Sequence, residues 1–500
     1  MLQKPRYHRF FTIKAVSNLE VDAAFPIGLL MLFKIRVLLG SVCMVNEVMS
    51  RQRAYDLQTK EIGYSEFWDI EMETMSRDKL LRLKEDKLQK IIEQAYQTPF
   101  YQRKFKEAGV SPSDIRTIED LKKLPITTKD DIRKSQAEHP PYGDYLTVPL
   151  KQISGLYSSS GSTGQPTTSL LTFRDQEVVT ERSARSYWAF GIRPEDVVQN
   201  IINPQLFLGY WFVHWGATRI GCSVISMGIG SSDRQLQVMQ RYGVTCAFMT
   251  PSYAFHLAEF ASKKGIHVRK DLNLQYIVLS GEPGGSDPVI RSRIEETWGV
   301  KVFDCPGMME AMGWGYTCKE QKGVHMQEDH FIWEVLDPET KEPVQPGERG
   351  VLVLTTLETD AQPLIRWWTD DYVLYSEDYC PCGRTSHVFP GGILSRSDDM
   401  LKISGVRVWP SGIESALKEV NGFGGEFRIV KDSSSIRKET GALFKLKLQV
   451  ECRSETDAVD FIKNVKDKIK AKFNITPEVE LVAVNSLDRF EFKAKRIITK

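Results

Sequence analysis

The residues whose types and spacing could bind phosphate are those of segment 157–166, which reads YSSSGSTGQP. Small hydroxyl side chains alternate there with glycines, and such segments can surround phosphate oxygens with backbone N–H groups. No Gly-Lys-Ser/Thr follows at the Walker A spacing, and the dinucleotide pattern GxGxxG is absent. A flexible Ser/Gly linker is the alternative interpretation. Because residues 169–173 are apolar and β-prone, we expect a loop between two strands.

A second set of residues has the types and spacing to hold a metal ion: Cys318, His325, Cys380 and Cys382. Two thiolates separated by one residue, as at the last two positions, can share a tetrahedral ion. His330 could replace His325, and Cys305 is a further candidate. With four protein ligands the ion would be a structural zinc, without an open position for water. The alternative is that the cysteines are reduced and packed as small apolar side chains.

Composition places the chain among globular proteins and gives no sign of a strongly charged partner. Its 500 residues predict roughly three domains and allow a large core. Apolar residues make up 41% and charged residues 26%, and a net charge of +1 argues against a nucleic-acid partner. Cysteine is too sparse for a disulfide scaffold, so we expect the chain to reside in the reducing cytoplasm.

Residues 1–62 differ from the rest and are interpreted as an N-terminal extension. Residues 23–45 are apolar-rich, but Lys34 and Arg36 interrupt them before the ~20 residues that a membrane-spanning helix needs. We therefore expect no membrane span, and no signal peptide is recognisable. The extension is expected to be poorly ordered or to result from an upstream start codon, with Met49 as the alternative start. An interfacial helix is the other interpretation.

Regular secondary structure is predicted from about residue 63 onwards. Helix starts are expected at Ser76, at Pro99 and at the threonine caps Thr117 and Thr128. The apolar runs that alternate with amphipathic stretches are 197–202, 222–226, 246–250, 276–280 and 300–304. This alternation predicts an α/β domain with a largely parallel sheet, in which ligands lie beyond the carboxyl ends of the strands.

Two of these strands end in loops that could contact such a ligand. SGEPG follows the run at 276–280 and CPGMME follows the run at 300–304, so these loops and the Ser/Gly segment are expected to converge on one crevice. From Asp329 the pattern changes to a β-meander with turn signals. After a boundary near residues 395–399, mixed strand and helix patterns indicate a small α+β domain of about a hundred residues.

Taken together, these motifs resemble the adenylate-forming superfamily of acyl-CoA ligases, and more narrowly its phenylacetate–CoA ligase-like branch. The resemblance runs from about residue 63 to the C-terminus, through SSGSTGQP, GEP, DCPGMME, RWWTDD, SRSDDMLKISGVRVWP and LDRFEFKAKR. It implies an α/β fold with a large AMP-binding adenylation domain (63–395), which has mixed and parallel sheets and a β-rich subdomain. A small mobile α+β C-terminal lid domain (396–500) is implied to follow.

The resemblance also implies a set of nucleotide-binding residues: Ser159, Ser160, Gly161, Ser162, Thr163, Gly164, Gly281, Glu282, Pro283, Asp304, Cys305, Asp371 and Arg396. Glu310 matches the Mg²⁺ ligand, Lys493 matches the adenylation lysine, and Thr163 is a third catalytic residue. Asp371 would bind the ribose hydroxyls, and Asp398 would be the hinge of the small domain. The Cys and His positions match a zinc site that some members of this branch carry.

Several positions depart from the family's pattern. Gln165 replaces the usual lysine of the phosphate loop. Pro306 replaces a tyrosine that flanks adenine, and Met309 replaces a hydroxyl residue near the phosphate. Asp370 and Phe492 each replace a glycine. These departures remove groups that contact the nucleotide in the family, so they bear on whether the activity is retained.

The implied activity is ATP-dependent acid–CoA ligation, in which an aryl or arylalkyl carboxylate becomes acyl-AMP and then a thioester of coenzyme A. ATP, Mg²⁺ and CoA would be the cofactors, and the acid pocket would be apolar. The aromatic candidates for its walls are Tyr142, Phe207, Tyr210 and Trp211. An adenylyltransferase of the coenzyme F390 synthetase type, which does not use CoA, is one alternative. A catalytically degraded nucleotide-binding relative is another, and whether the chain forms a homodimer stays open.

Overall fold

A computed structural model describes residues 64–159, 166–396, 401–403, 406–408, 410–436, 443–487 and 496–499. All elements given below belong to the unit Glu66–Lys500. The predicted N-terminal extension (1–62) lies outside the described residues. The predicted site residues that also lie outside them are Ser160, Gly161, Ser162, Thr163, Gly164, Asp398 and Lys493.

The helices of the described residues are α1 (Ile70–Glu73), α2 (Arg77–Tyr96), α3 (Pro99–Ala108), α4 (Lys129–Glu138), α5 (Phe173–Phe190), α6 (Leu208–Arg219), α7 (Ser232–Tyr242), α8 (Pro251–Lys263), α9 (Val268–Asp271), α10 (Pro288–Trp298), α11 (Pro410–Lys418) and α12 (Ala458–Phe473). The strands are β1 (Ile153–Ser158), β2 (Thr168–Thr172), β3 (Val197–Asn200), β4 (Ser223–Ile225), β5 (Cys246–Met249), β6 (Tyr276–Leu279), β7 (Lys301–Asp304), β8 (Gly315–Thr317), β9 (Val324–Met326), β10 (Phe331–Leu336), β11 (Arg349–Thr356), β12 (Trp367–Leu374), β13 (Val388–Phe389), β14 (Ser395–Arg396), β15 (Leu401–Ile403), β16 (Val406–Val408), β17 (Phe423–Lys431), β18 (Lys447–Cys452), β19 (Glu478–Ala483) and β20 (Ile497–Thr499).

The five apolar runs predicted as parallel strands form one sheet in the order β4-β3-β5-β6-β7, with every neighbouring pair parallel. Helices α7, α8 and α10 pack against it through a shared apolar core, which explains the continuous apolar strands. From β3 the chain moves to β4 at the edge and then returns past β3 to β5. The strand order therefore reverses beside β3, and ligands of such sheets bind beyond the carboxyl ends at that point.

The β-meander expected from Asp329 is confirmed as an antiparallel sheet in the order β10-β11-β12-β14. Helices α2 and α3 share an apolar core with this sheet. Leu88 and Ile92 of α2 are four residues apart and so lie on one helix face, and they pack in the same core as Leu352 and Leu354 of β11. The N-terminal helices thus cover the β-rich part of the chain.

The predicted helix starts are confirmed, and capping boxes explain those at Thr117 and Thr128. Ser76 immediately precedes α2, and Pro99 is the first residue of α3. Thr117 and Thr128 each form a capping box with an aspartate three residues later, in which the side chains satisfy backbone N–H groups reciprocally. The element after Thr117 is a short 3₁₀ helix, whereas Thr128 caps α4.

The C-terminal part of the chain has the predicted α+β composition. Its sheet has the order β19-β18-β17-β20 and contains both parallel and antiparallel pairs. Helices α11 and α12 share its apolar core, all of whose members lie between Leu401 and Ile497. The predicted fold class is confirmed: a parallel α/β sheet, a β-rich part and a C-terminal α+β region. Among the described residues, no helix has both the length and the apolar character needed to cross a membrane.

Candidate active site

Strands β1 and β2 form a hairpin that carries the Ser/Gly segment at its tip. They pair antiparallel, with Ser158 opposite Thr168. Ser159 donates its N–H to the carbonyl of Thr167 over 2.9 Å, and the N–H of Thr167 donates to Ser159 Oγ over 2.9 Å. The prediction of a loop between two strands, rather than an interdomain linker, is confirmed. Two hydroxyl residues therefore close the base of the loop.

The carboxylate of Glu310 lies at the base of this loop. Thr167 Oγ1 donates to Glu310 Oε1 over 3.2 Å, and the ammonium of Lys129 lies 2.9 Å from the same oxygen. Glu310 is only 10% exposed and Lys129 29% exposed. Lys129 is the first residue of α4, whose start is set by the Thr128 cap, so the helix places the lysine beside the loop. A partly exposed carboxylate here has the oxygen chemistry that Mg²⁺ prefers.

Sequence analysis identified Glu310 but not Lys129 or Thr167. Thr128 indicated only a helix start, and the sequence analysis assigned no role to the lysine that follows it. The pairing across the site depends on the packing of α4 against the β1–β2 hairpin. For example, Gln136 of α4 donates its amide to the carbonyl of Thr168 over 3.0 Å. The sequence signal that could have identified Lys129 is its position directly after the Thr128 cap.

The loops after β6 and β7 meet at the carboxyl edge of the parallel sheet, as predicted. Ser280 Oγ donates to the carbonyl of Cys305 over 2.8 Å, which ties the two loops together. Ser286 Oγ donates to Asp304 Oδ2 over 2.7 Å. Asp304 is buried, and burial raises the pKa of its carboxyl to about 6. Gly281 has a φ of +84°, which suits glycine at the turn that leaves β6.

Glu282 and Cys305 of these loops are already engaged by neighbouring groups. The N–H and Oγ of Ser252, at the start of α8, donate to the two carboxylate oxygens of Glu282 over 3.1 and 2.9 Å. The thiol of Cys305 is buried, and burial raises its pKa. Pro306 and Met309 are also buried. The departure at Pro306 therefore places an apolar side chain at the end of β7, where the family has a ring.

Asp371 and Arg396 are opposite each other on the antiparallel strands β12 and β14. Arg396 Nη1 lies 3.1 Å from Asp371 Oδ1, and the carboxylate of Asp371 is 4% exposed. The preceding residue, Asp370, has a φ of +65°, in the left-handed region. The glycine that the resemblance implies at this position would adopt that conformation readily, and aspartate is among the residues that tolerate it. The indole N–H of Trp368 donates to Asp370 Oδ1 over 3.0 Å at this irregular position within β12.

The aromatic residues predicted to line an acid pocket lie mainly at the start of α6. The rings of Tyr210 and Trp211 are 5.4 Å apart in an edge-to-face arrangement, and Tyr210 is only 4% exposed. Phe207 precedes the helix and is partly buried. Tyr142 lies on the segment between α4 and β1 and is partly exposed. Asn200, at the carboxyl end of β3, donates to the carbonyl of Tyr210 over 2.9 Å, so the first turn of α6 is fixed at the ligand-binding edge.

The predicted metal-binding residues come together as one buried cluster. The ligand atoms of Cys318, His325, Cys380 and Cys382 all lie within 4.8 Å of one another. Cys318 Sγ is 3.5 Å from Cys380 Sγ, and Cys382 Sγ is 3.5 Å from His325 Nε2. The other ring nitrogen of His325 pairs with Ser386 Oγ over 3.1 Å, which orients the imidazole. Three sulfurs and one nitrogen in this arrangement fit a structural zinc ion.

The two further metal candidates are placed elsewhere. His330 Nδ1 lies 2.6 Å from Glu358 Oε2, and its Nε2 lies 3.3 Å from Asp329 Oδ2, so His330 does not replace His325 in the cluster. Cys305 lies at the end of β7, and its thiol faces the carbonyl of Gly315 over 3.8 Å.

Comparison with known proteins agrees with this arrangement. Residues 82–357 match the family described as AMP-binding enzyme, and residues 405–500 match the AMP-binding enzyme C-terminal domain. The chain belongs to the AMP-binding enzyme family. The resemblance predicted from the sequence motifs is thereby confirmed, and the two matched regions lie on either side of β14.

Several CoA ligases are similar to the chain over most of its length. It is 39% identical over 385 residues to the phenylacetate-coenzyme A ligase of Thermus thermophilus, which covers 76% of this chain and 83% of that protein. It is 34% identical to the phenylacetate-coenzyme A ligase of Pseudomonas putida, over 86% of this chain and 96% of that protein. A crystal structure of 2-hydroxyisobutyryl-CoA ligase with 2-HIB-AMP superposes with a TM-score of 0.81 at 35% identity, covering 87% of this chain and 93% of that one.

Proposed function

We propose that the chain is an AMP-forming acid–CoA ligase. The observation that carries this proposal is the position of Glu310 at the base of the β1–β2 loop, with the ammonium of Lys129 2.9 Å away. Phosphoryl chemistry needs charge neutralised on the phosphates, and a carboxylate for Mg²⁺, a lysine and a Ser/Gly loop are suitable groups. The phenylacetate-coenzyme A ligases that resemble the chain over most of its length support the same activity.

Two half-reactions follow from this proposal. In the first, a carboxylate oxygen of the acid attacks the α-phosphorus of ATP, and pyrophosphate leaves. In the second, the thiol of CoA attacks the acyl carbon, loses its proton, and AMP leaves. Glu310 would hold Mg²⁺, which neutralises phosphate charge when it is bound. Asp371, held by Arg396 at 3.1 Å, would bind the ribose hydroxyls.

Two classes of carboxylic acid are candidates for the substrate. An aryl or arylalkyl acid is supported by the phenylacetate-coenzyme A ligases at 39% and 34% identity. A short branched hydroxy acid is supported by the structure of 2-hydroxyisobutyryl-CoA ligase at 35% identity.

We further propose that the cluster of Cys318, His325, Cys380 and Cys382 holds one structural zinc ion. Four protein ligands leave no coordination position for water, so the ion would have no part in turnover. The cluster lies beside the first helices: Arg384 Nε donates to Glu73 Oε2 over 2.6 Å, and Thr385 N donates to the carbonyl of Glu73 over 3.0 Å. A zinc ion would therefore stabilise the packing of α1 against the segment that follows Cys382.

Acid-dependent exchange of labelled pyrophosphate into ATP, measured without CoA, tests the first half-reaction. The acid panel should include benzoates, phenylacetates, indoleacetates and short 2-hydroxy acids. We expect exchange with one of these classes, and its identity decides between the two kinds of acid. Exchange combined with no thioester upon addition of CoA would favour the F390 synthetase type of reaction. ATP binding without exchange for any acid would favour a degraded relative.

A further inference from the structure

Arg182 of α5 is a buried guanidinium beside the turn that carries Glu310. Its side chain is 6% exposed, and its Nη1 donates to the carbonyl of Ala311, the next residue after Glu310, over 3.1 Å. The guanidinium carbon lies 4.8 Å from the centroid of the Phe331 ring. Nε of Arg182 is buried without a hydrogen-bond partner among the described residues. One backbone carbonyl and one aromatic face therefore hold this cation.

Arg185, one turn further along α5, is also buried, but it is paired with a carboxylate. Its Nη1 and Nη2 donate to the two oxygens of Asp329 over 2.7 and 2.8 Å. None of the ion pairs between described residues includes Arg182. Burial lowers the pKa of Arg182 to about 10, against the opposing effect of the carboxylates of Glu358, Asp329 and Asp175, which raise it. A buried guanidinium without a direct ion pair loses its hydration, so packing alone does not explain an arginine at this position.

Other hydrogen bonds also hold the turn after β7, and one of them runs from the Gln327 amide to the carbonyl of Gly313 over 3.2 Å. Met312 has a φ of +56°, and its N–H donates to the carbonyl of Met308 over 2.9 Å. Ser169 Oγ reaches the carbonyl of Met309 over a long 3.4 Å. Lys129 and Thr167 hold the side chain of Glu310, whereas Arg182 holds the backbone immediately after it.

We propose that Arg182 is a positioning residue that fixes the backbone after Glu310 and so aims its carboxylate at the bound Mg²⁺. The inference rests on the proposed role of Glu310 in holding that ion. Groups that orient a ligand in this indirect way typically change metal affinity by about 10- to 100-fold when removed.

The direction of the change separates positioning from a simple charge effect. A positive charge near a cation site repels the cation, so removing Arg182 would strengthen Mg²⁺ binding if only its field mattered. If Arg182 positions Glu310, its removal must weaken Mg²⁺ binding despite the lost repulsion. Arg182→Met is the informative variant because it keeps an apolar side chain of similar length against Phe331.

The experiment measures, in the full-length chain, the Mg²⁺ dissociation constant of the complex with a non-hydrolysable ATP analogue by calorimetry, and the Mg²⁺ concentration that gives half-maximal acid-dependent pyrophosphate release. We expect both values to rise about tenfold in Arg182→Met and to return to within about threefold of the parent in Arg182→Lys, which keeps a donor. Arg174→Ala, an exposed arginine on the same helix, is the matched control and should leave both unchanged. The thioester step from supplied acyl-AMP should be unaffected in all three.

An unchanged or lowered Mg²⁺ requirement in folded Arg182→Met would overturn the proposal, whatever its melting temperature. If that variant does not fold, Arg182→Gln replaces it, with the same expected rise and the same contradicting result. A parent chain that releases no pyrophosphate with any acid would instead contradict the proposed function. The two failures are therefore distinguishable.

Discussion

The Nζ atom of Lys129 lies 2.9 Å from Oε1 of Glu310, so a lysine from α4 faces the carboxylate at the base of the β1–β2 loop. The loop itself has Gln165 where the family has lysine. Lys129 therefore supplies an ammonium near the loop from a different element. Without nucleotide it neutralises Glu310, and with Mg²⁺ bound to Glu310 it would be released towards the phosphates.

Lys129→Met is expected to slow acid-dependent pyrophosphate release by about 10²-fold, because one charged donor is lost from the phosphate site. Conversion of supplied acyl-AMP and CoA to thioester should continue at nearly the parent rate. Lys134→Met is the matched control: it lies on the same helix, and its side chain is 75% exposed. Equal losses in both half-reactions, or an equal effect of the control, would show that Lys129 acts through folding alone.

For the metal cluster, elemental analysis of protein expressed with zinc should find about one zinc per chain. Cys382→Ser should lose the metal and lower Tm, because a structural ion contributes folding free energy directly. A loss of about 3 kcal/mol corresponds to a decrease of roughly 4 °C for a domain of more than 300 residues, because the entropy of unfolding grows with size. Cys452→Ser, at a half-buried cysteine outside the cluster, should change neither quantity. Loss of zinc with an unchanged Tm would mean that the ion is incidental.

Asp304 predicts a pH dependence of stability. The pKa of its carboxyl is about 6 in the folded chain, above its ordinary value of 3.8, because the group is buried. The folded state therefore binds this proton more tightly, and the resulting stability is complete below about pH 4 and is lost as the pH rises through 6. The difference corresponds to about 3 kcal/mol in the free energy of unfolding.

Asp304→Asn removes this titration. The variant should gain stability relative to the parent between pH 4 and pH 7, which urea unfolding at a series of pH values can measure. Because Asp304 is also a predicted nucleotide-binding residue, we expect the gain to come with reduced ATP affinity. If the free energy of unfolding changed with pH by the same amount in parent and variant, the buried carboxyl of Asp304 would not titrate in this range.

The sequence predicted the strands and their edge loops because burial leaves a strong pattern. Runs such as those of β5 and β6 are apolar at every position, as expected of strands covered on both faces. The cysteine spacing likewise predicted the cluster around Cys382. The helix start at Thr128 was also predictable, because a threonine followed by an aspartate three residues later can form a capping box.

The partners of individual side chains were not predictable in the same way. Lys129 meets Glu310 only because α4 packs against the β1–β2 hairpin, and no local pattern encodes that packing. The burial of individual aromatic residues was not predictable either. Tyr210 could have lined a pocket or packed in a core, and its 4% exposure is known only from the structure. Arg182 was missed because arginine on a helix is normally solvated.

Lys493 and Asp398 lie outside the described residues, and their roles stay predictions from the motifs FKAKR and SRSDD. Lys493→Ala should slow pyrophosphate release by about 10²–10³-fold and leave the thioester step nearly intact, because the lysine would act only while acyl-AMP forms. Asp398→Pro should do the opposite, since fixing φ at the hinge hinders the domain movement. Separate assays of the half-reactions test both variants. Equal losses in Lys493→Ala would mark it as a structural lysine.

The most direct test of acid–CoA ligation is the product formed when the purified chain is given ATP, Mg²⁺, CoA and the acid selected by pyrophosphate exchange. We predict an acyl-CoA thioester by mass spectrometry, with AMP and pyrophosphate released in amounts equal to it. Turnover of ATP to ADP, or AMP release with the thiol of CoA left free, would contradict the proposed function.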